Sequence, residues 1–350
     1  MSAACSSSTG GGSAAVHTQK RVEWNLTSSF PASLDTIYGA AETLAEKVAA
    51  MSGGRFTINV FEAGKLGAPL AVLDDVESGA APIGQTAGYY FTGKNAALAF
   101  DTCVPFGLTS RQQTAWLQQA GGLDLIHEVY ADFNVISFPC GNTGAQMGGW
   151  FREPVGSLGD LKGLTMRIPG LGGKVMQELG VTPQTLAGGE IYVALEQGTI
   201  DATDWIGPHD DEILGFYKVA KNYHYPGWWE PGPSLSFLVN RDEWNALPAE
   251  YQAILRAAAQ DSAITMQARY DAKNPAALER LVANGVKLVP FTQDLMKAAA
   301  EAARDLRADE ARNDALFKKV DDAFTSFRKD ARTWFGKAEL AYNTFATNQP

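Results

Sequence analysis

The chain has 350 residues, 45 % of them hydrophobic and 19 % charged, with a formal net charge of −10. That length can bury a substantial core and predicts two lobes, and the composition is that of a globular protein. The acidic balance, with no basic cluster along the sequence, argues against nucleic acid and anionic membrane surfaces as partners, and no apolar run reaches transmembrane length. A small anion stays open as a ligand, because one arginine in a dry cleft acts locally.

Residues 1–20, MSAACSSSTGGGSAAVHTQK, are small and polar and predict a disordered tail. They lack the basic start and apolar stretch of an intact signal peptide, so they read as a tether or remnant whose export signal has been removed. Val22 to Leu26 alternates as a half-buried strand. Apolar spacing at Leu34, Ile37, Tyr38, Ala41, Leu44 and Val48 then predicts a helix over 34–51, stopped at Gly53-Gly54. A strand over 55–61, a helix over 70–78 and a strand from Pro82 follow. Further strands are expected at 134–140, 145–151, up to Arg167, at 199–205 and at 234–240, with helices at 173–179 and 191–198. This alternation predicts a mainly parallel sheet. From Pro248 nearly everything reads as helix: 251–284 as one long helix bent near Pro275, then 295–306 and 315–345. Two α/β halves followed by long helices suit a bilobal, hinged binding protein better than a barrel.

Three cysteines, Cys5, Cys103 and Cys140, make no disulfide framework. A Cys103–Cys140 bridge and two separate buried thiols are both open, the second favoured by the apolar surroundings of each.

Arg167 ends an apolar strand just before a glycine-rich turn (Gly170, Gly172, Gly173), where α/β proteins hold ligands. Its guanidinium fork fits a carboxylate, although a surface arginine covering a strand edge would look the same. Glu230 lies between Trp228-Trp229 and a rigid Pro-Gly turn. Buried there it needs a cation, and exposed it is a solvated loop acid. Gln146, flanked by glycines, can offer an amide oxygen to a hard cation or be satisfied by backbone. The segment 200–212 invites a metal reading through Asp204, His209, Asp210 and Asp211. It reads better as the acidic first turn of a helix starting after Gly207. Trp205 ends its strand and faces the same crevice as Arg167. Tyr89 and Tyr90 suit gating, a hydroxyl donor or core packing, and the turn at Phe106 an apolar wall. No P-loop, dinucleotide fingerprint or G-x-S-x-G elbow is present.

The segments GDLKGLTMRIPG (159–170), ALEQGTIDATDW (194–205) and PGWWEPGP (226–233) resemble the extracytoplasmic solute receptors of TRAP transporters. VPFGLTSRQQTAWL (104–117) and GNTGAQMGGWF (141–151) are similar to the subgroup that binds 2-oxo and 2-hydroxy monocarboxylates. The resemblance, which runs from Glu23 to the C-terminus, implies an α/β, bilobal periplasmic-binding-protein fold with a long bracing helix and an extended helical C-terminus. Lobe I would be 21–140 with 231–262, lobe II 141–230 with 263–310, and 311–350 C-terminal helices that can form a homodimer. It implies that Arg167 binds the substrate carboxylate, with Tyr90 and Phe106 completing the wall and Tyr89 and Asn142 beside them. Gln146, Trp205 through its carbonyl, and Glu230 would hold Na+ or Ca2+, with Asp204 adding charge for a divalent ion. It further implies a periplasmic receptor for a pyruvate- or lactate-like acid that hands it to membrane permease subunits and catalyses nothing. The alternatives are a receptor for iron or another metal ion using Tyr89, Tyr90 and the acidic segment 200–212, or a secreted metal-dependent enzyme using Glu230 and the acids of 204–211.

Overall fold

Strand β1, Val22–Ser28, buries Trp24 and Leu26 and exposes Glu23 and Asn25, as its alternation requires. In this computed structural model, which describes residues 20–349, β1 lies between β2 (Phe56–Phe61) and β3 (Ile83–Thr86), parallel to both. The expected tail over residues 1–20 falls almost wholly outside the described residues. Strands β4 (Val135–Asn142), β5 (Trp150–Phe151), β6 (Thr165–Arg167), β7 (Thr182–Gln184), β8 (Ala202–Thr203), β9 (Asn222–Tyr225), β10 (Ser234–Asn240) and β11 (Lys287–Pro290) follow. They form two sheets, ordered β2-β1-β3-β10-β4 and β11-β9-β5-β8-β6-β7, and the fold is bilobal, mixed α/β.

Both sheets are mixed, which corrects the mainly parallel expectation. β10 runs antiparallel to β3 and β4, and β5 antiparallel to β8 and β9. Strand–helix alternation constrains only strands joined by a crossover helix. β10 returns to the first sheet after the chain has built most of the second, so no such helix sets its direction.

Two expected strands shrink to two residues each, β5 and β8. The backbone before β5 bonds mostly to loops, Gln146 N–H to Glu230 O (3.2 Å) and Met147 N–H to Ile206 O (3.2 Å), and meets β9 where Gly148 N–H donates to His224 O (2.7 Å). The first helix spans Gly39–Met51, starting later than expected. Leu34 and Ile37 are fully buried but lie in turns, because apolar spacing reports burial and not hydrogen bonding. Helices Ser110–Gln119 and Gly122–Ala131, and strands β7, β9 and β11, were not anticipated.

The helix Ala249–Ala283 continues through Pro275. It packs on β4 and helix Gly39–Met51 of the first sheet and on helix Pro208–Leu214 beside the second, so it braces both. Ser262 Oγ ties it down by donating to Ala40 O (2.8 Å). Helices Gln293–Asn313, Ala315–Phe335 and Ala341–Thr347 complete the chain, the last two joined by a π-turn over Gly336–Leu340. Phe324 of the second seats on Phe100 and Trp116. Cys103 and Cys140 are buried free thiols, not a bridge.

Candidate functional site

Arg167 is the last residue of β6, and register places it opposite Thr203 of β8. The next residue on that side, Asp204, therefore arrives beside the guanidinium. Arg167 Nη1 donates to Asp204 Oδ1 (2.7 Å) and Asp204 O (3.1 Å), and Nε to Leu186 O (3.2 Å). Nη2 reaches only the Tyr90 hydroxyl, at 3.5 Å, and the guanidinium lies 5.0 Å from the centre of the Trp205 ring. Both charged side chains are fully buried. Burial works against the charge of Arg167, but Asp204, Tyr90, Tyr89 and Glu230 together outweigh it and hold the group above its ordinary range. Arg167 is thus not the lone charge that its sequence surroundings suggest. Of its five N–H donors, one on Nη2 has no protein acceptor and the other has only a long contact.

Glu230 is equally buried, and its carboxyl meets that of Asp204. Burial first, then the charge of Asp204, pushes Glu230 well above the usual carboxylate range. Two carboxyls in contact cannot both ionise in a dry site unless a proton or a cation lies between them. Three buried oxygens here accept no hydrogen bond: Gln146 Oε1, Asp204 Oδ2 and Glu230 Oε2. An amide oxygen and two carboxylates are the donor set of a hard cation, so the residues fit Na+ or Ca2+. Gln146 is aimed by its neighbours, side-chain Nε2 donating to Thr143 Oγ1 (3.2 Å) and the main-chain carbonyl accepting from Gly227 N–H (3.0 Å).

Tyr89, Tyr90, Gln146, Thr143 and Trp205 line one cavity of ≈ 10 Å³. That is room for about one water, so anything larger enters only as the walls part. Tyr89 packs edge-on to Tyr90 at 5.0 Å, and burial raises both hydroxyls above their ordinary range. Asn142 and Phe106 stand off this cavity. The Asn142 amide accepts from Gly144 N–H (2.9 Å) and donates to Gly232 O (2.9 Å), fixing the turns on either side. Phe106 stacks on Trp228 at 5.1 Å, donates its N–H to Trp228 O (2.8 Å), and so supports the loop that carries Glu230.

His209, Asp210 and Asp211 do not join Asp204 in a metal site. Asp210 accepts from Tyr270 Oη (2.7 Å), and Asp211 from Tyr223 Oη (2.6 Å) and Trp150 Nε1 (2.9 Å). His209 pairs with Asp35 (2.8 Å). They form the acidic first turn of helix Pro208–Leu214, where Tyr270, Tyr223 and Trp150 bind the two buried acids and only Asp210 Oδ1 is left without a donor. No cluster of three or more His, Cys, Asp or Glu suited to a metal occurs among the described residues. Leu186 and Thr143 were missed by sequence reasoning. A backbone acceptor such as Leu186 O leaves no signal in residue identity, whereas Thr143 lay within a motif already noted.

Residues 27–313 match the bacterial extracellular solute-binding proteins, family 7. The chain is 54 % identical over 327 residues to a monocarboxylate 2-oxoacid-binding periplasmic protein of Nostoc sp., covering 93 % of this chain and 90 % of that one. It is similar to a TRAP transporter solute-binding protein of Bordetella bronchiseptica, a mixed-occupancy dimer with copurified calcium and picolinate in its bound site (TM-score 0.93, 42 % identity, 94 % of this chain and 98 % of that one). A TRAP periplasmic solute-binding protein of Pseudoalteromonas atlantica, with bound sodium and pyruvate, is similar at a TM-score of 0.90 and 39 % identity, covering 93 % and 99 %.

Proposed function

The chain belongs to the bacterial extracellular solute-binding proteins of family 7, and from that premise we propose that it is a TRAP-transporter receptor for small 2-oxo monocarboxylates, pyruvate foremost. The observation that carries this reading is a buried arginine with a spare donor edge beside three buried, unpartnered oxygens. Arg167 takes the ligand carboxylate through Nη2, while Gln146, Asp204 and Glu230 hold a cation that meets the acid's other oxygens. Trp205 and Tyr90 wall the ligand. Tyr89 supports Glu230, and Asn142 and Phe106 act as positioning residues for the surrounding turns.

Charge explains why an ion is needed. Arg167 supplies one positive charge against two negative from Asp204 and Glu230, and the ligand adds a third negative. The sum is two negative charges in a dry site, which a divalent ion cancels and a monovalent ion halves. The relatives with calcium and with sodium hold their acids with either kind.

The lobes we assign are 21–140 with 231–262, and 141–230 with 263–310, supported by the membership of β1–β4 and β10 in one sheet and β5–β9 and β11 in the other. A homodimer through 311–350 is supported by Trp334, Leu340, Tyr342 and Phe345, each more than 60 % exposed on the terminal helices. Light scattering before and after removal of 336–350 tests it, a monomer being expected after truncation. A periplasmic receptor that docks on membrane permease subunits follows from the family, and no helix among the described residues is long and apolar enough to cross a membrane.

The test of function is calorimetric titration of pyruvate into protein stripped with chelator, repeated with calcium or sodium restored. Binding is expected only with the ion. Equal binding without it would remove the cation, and no binding of any 2-oxo monocarboxylate with it would remove the receptor.

A further inference from the structure

Away from the cleft, helices Gln293–Asn313 and Ala315–Phe335 bring together four arginines that no stretch of sequence contains. Arg304, Arg307, Arg328 and Arg332 line a groove of ≈ 490 Å³, and Asp321 is the one acid among its lining residues. Arg307, with a side chain only 8 % exposed, donates to Asp321 Oδ1 (2.6 Å) and Thr325 Oγ1 (2.8 Å). That pairing consumes the acid. Arg304 makes only an exposed 3.4 Å contact with Asp305 at the rim. Arg328 Nη1 (3.1 Å) and Arg332 Nη2 (3.3 Å) converge on one neutral acceptor, the carbonyl of Phe106.

A half-buried guanidinium that finds a peptide oxygen and two like charges is under-satisfied. Burial first, then Arg307 and Arg332, pulls Arg328 down to about 10. The groove has the volume of a small-molecule site, and converging guanidinium forks match tetrahedral oxyanions two bonds at a time. This concentration of positive charge stands in a chain whose net charge is −10. Such a chain is repelled by an anionic membrane, which favours a soluble anion over a lipid headgroup.

We propose that this groove is a second binding site, for a free, doubly charged tetrahedral oxyanion of the phosphate class, bound by Arg328, Arg332 and Arg304 over the Arg307–Asp321 pair. Its arginines are separate from the cleft around Arg167 and reach the loops there only through the Phe106 carbonyl. The anion also competes for the two donors that hold the Phe106 carbonyl. Phe106 has φ 55°, a strained value for a side-chain-bearing residue, and its turn is also held by its N–H on Trp228 O (2.8 Å) and its stacking on Trp228.

The experiment is titration of inorganic phosphate into the whole protein at low ionic strength in calcium-free buffer, by calorimetry. One site is expected, weakened about tenfold or more in Arg328→Gln and in Arg332→Gln, and unchanged in Arg167→Ala. Arg332 is exposed, so its variant reports even if Arg328→Gln fails to fold. Absence of binding, binding that survives both substitutions, or binding lost in Arg167→Ala overturns the proposal. So does capture by phosphatidylglycerol vesicles without any binding of phosphate. Loss of pyruvate binding with phosphate binding intact would count against the cleft reading alone.

Discussion

Arg167 Nη1 lies 2.7 Å from Asp204 Oδ1 with both side chains fully buried, and Glu230 sits against the same acid. Removing the arginine leaves two buried carboxyls with no cation from the protein. Arg167→Ala is expected to lower stability by about 3–5 kcal/mol and to abolish pyruvate binding. The paired variant Arg167→Met/Asp204→Asn should regain most of the stability and none of the binding. Urea unfolding beside calorimetry separates the two effects. Normal pyruvate affinity in the paired variant would show that Arg167 does not hold the ligand.

Glu230 sets a pH dependence with a definite sign. Its folded pKa is raised above its unfolded value, so the stability from its proton is complete below about pH 4 and is lost as the pH rises through the folded value. A cation that displaces the proton reverses the loss. The upward shift in melting temperature given by calcium should therefore grow with pH, and Glu230→Gln should flatten it. Asp101, Asp210 and Asp211, raised by burial to about 6, 7 and 6, carry the same sign. The relevant quantity is thus wild type minus variant across a pH series with calcium or chelator. A calcium shift that is level with pH in the wild type would contradict this account.

Local chemistry made Arg167, Gln146, Trp205 and Glu230 visible in the sequence. Each sits at a strand end or in a turn whose neighbours are small, aromatic or rigid, so an unusual polar residue stands out. The long helix through Pro275 was visible for a similar reason, a pattern that does not break. What escaped was set by pairing across distance. The place of Asp204 beside Arg167 follows from β6 lying next to β8 in one register, which residue spacing does not encode. The antiparallel entry of β10 depends on the chain's return from the second sheet. The arginine groove exists only because two helices fold side by side, so an overall acidic sequence hides it. The acidic first turn at Asp210 and Asp211 was legible in the sequence, whereas their donors Tyr270, Tyr223 and Trp150 come from distant segments.

Gly227 is required by space. A Cβ there would lie 2.6 Å from both Gln146 O and Met147 O, backbone atoms that cannot step aside alone. Gly227→Ala should displace the segment carrying Gln146 relative to the loop carrying Glu230. We expect a stability cost of about 1–3 kcal/mol, typical of overpacking, and calcium affinity reduced about tenfold or more. Circular dichroism should show the fold retained. Calcium titration at wild-type affinity would mean that the oxygens tolerate the shift and do not act as a rigid set.

Asp35 lies in the turn after β1, on the first-sheet side, yet it accepts from Lys273 Nζ (2.6 Å) on the bracing helix and meets His209 Nε2 (2.8 Å) beside the second sheet. Partial burial works upward on its carboxyl, but hydrogen bonds from Lys273 and His209 hold it down at about 2. A depressed carboxyl contributes above its unfolded pKa of about 3.9, and that contribution fades as the pH falls toward 2. At neutral pH the contact is therefore intact. Its side chain is 57 % exposed, which limits the pair to about 1 kcal/mol or less. Overall stability should scarcely change in Asp35→Asn. We expect the contact to break as the lobes part, so that its effect falls on the open–closed balance. Pyruvate dissociation, followed by stopped-flow at pH 7, should accelerate about 3- to 5-fold in the variant. An unchanged rate would mean that closure does not use this contact, however short its hydrogen bonds.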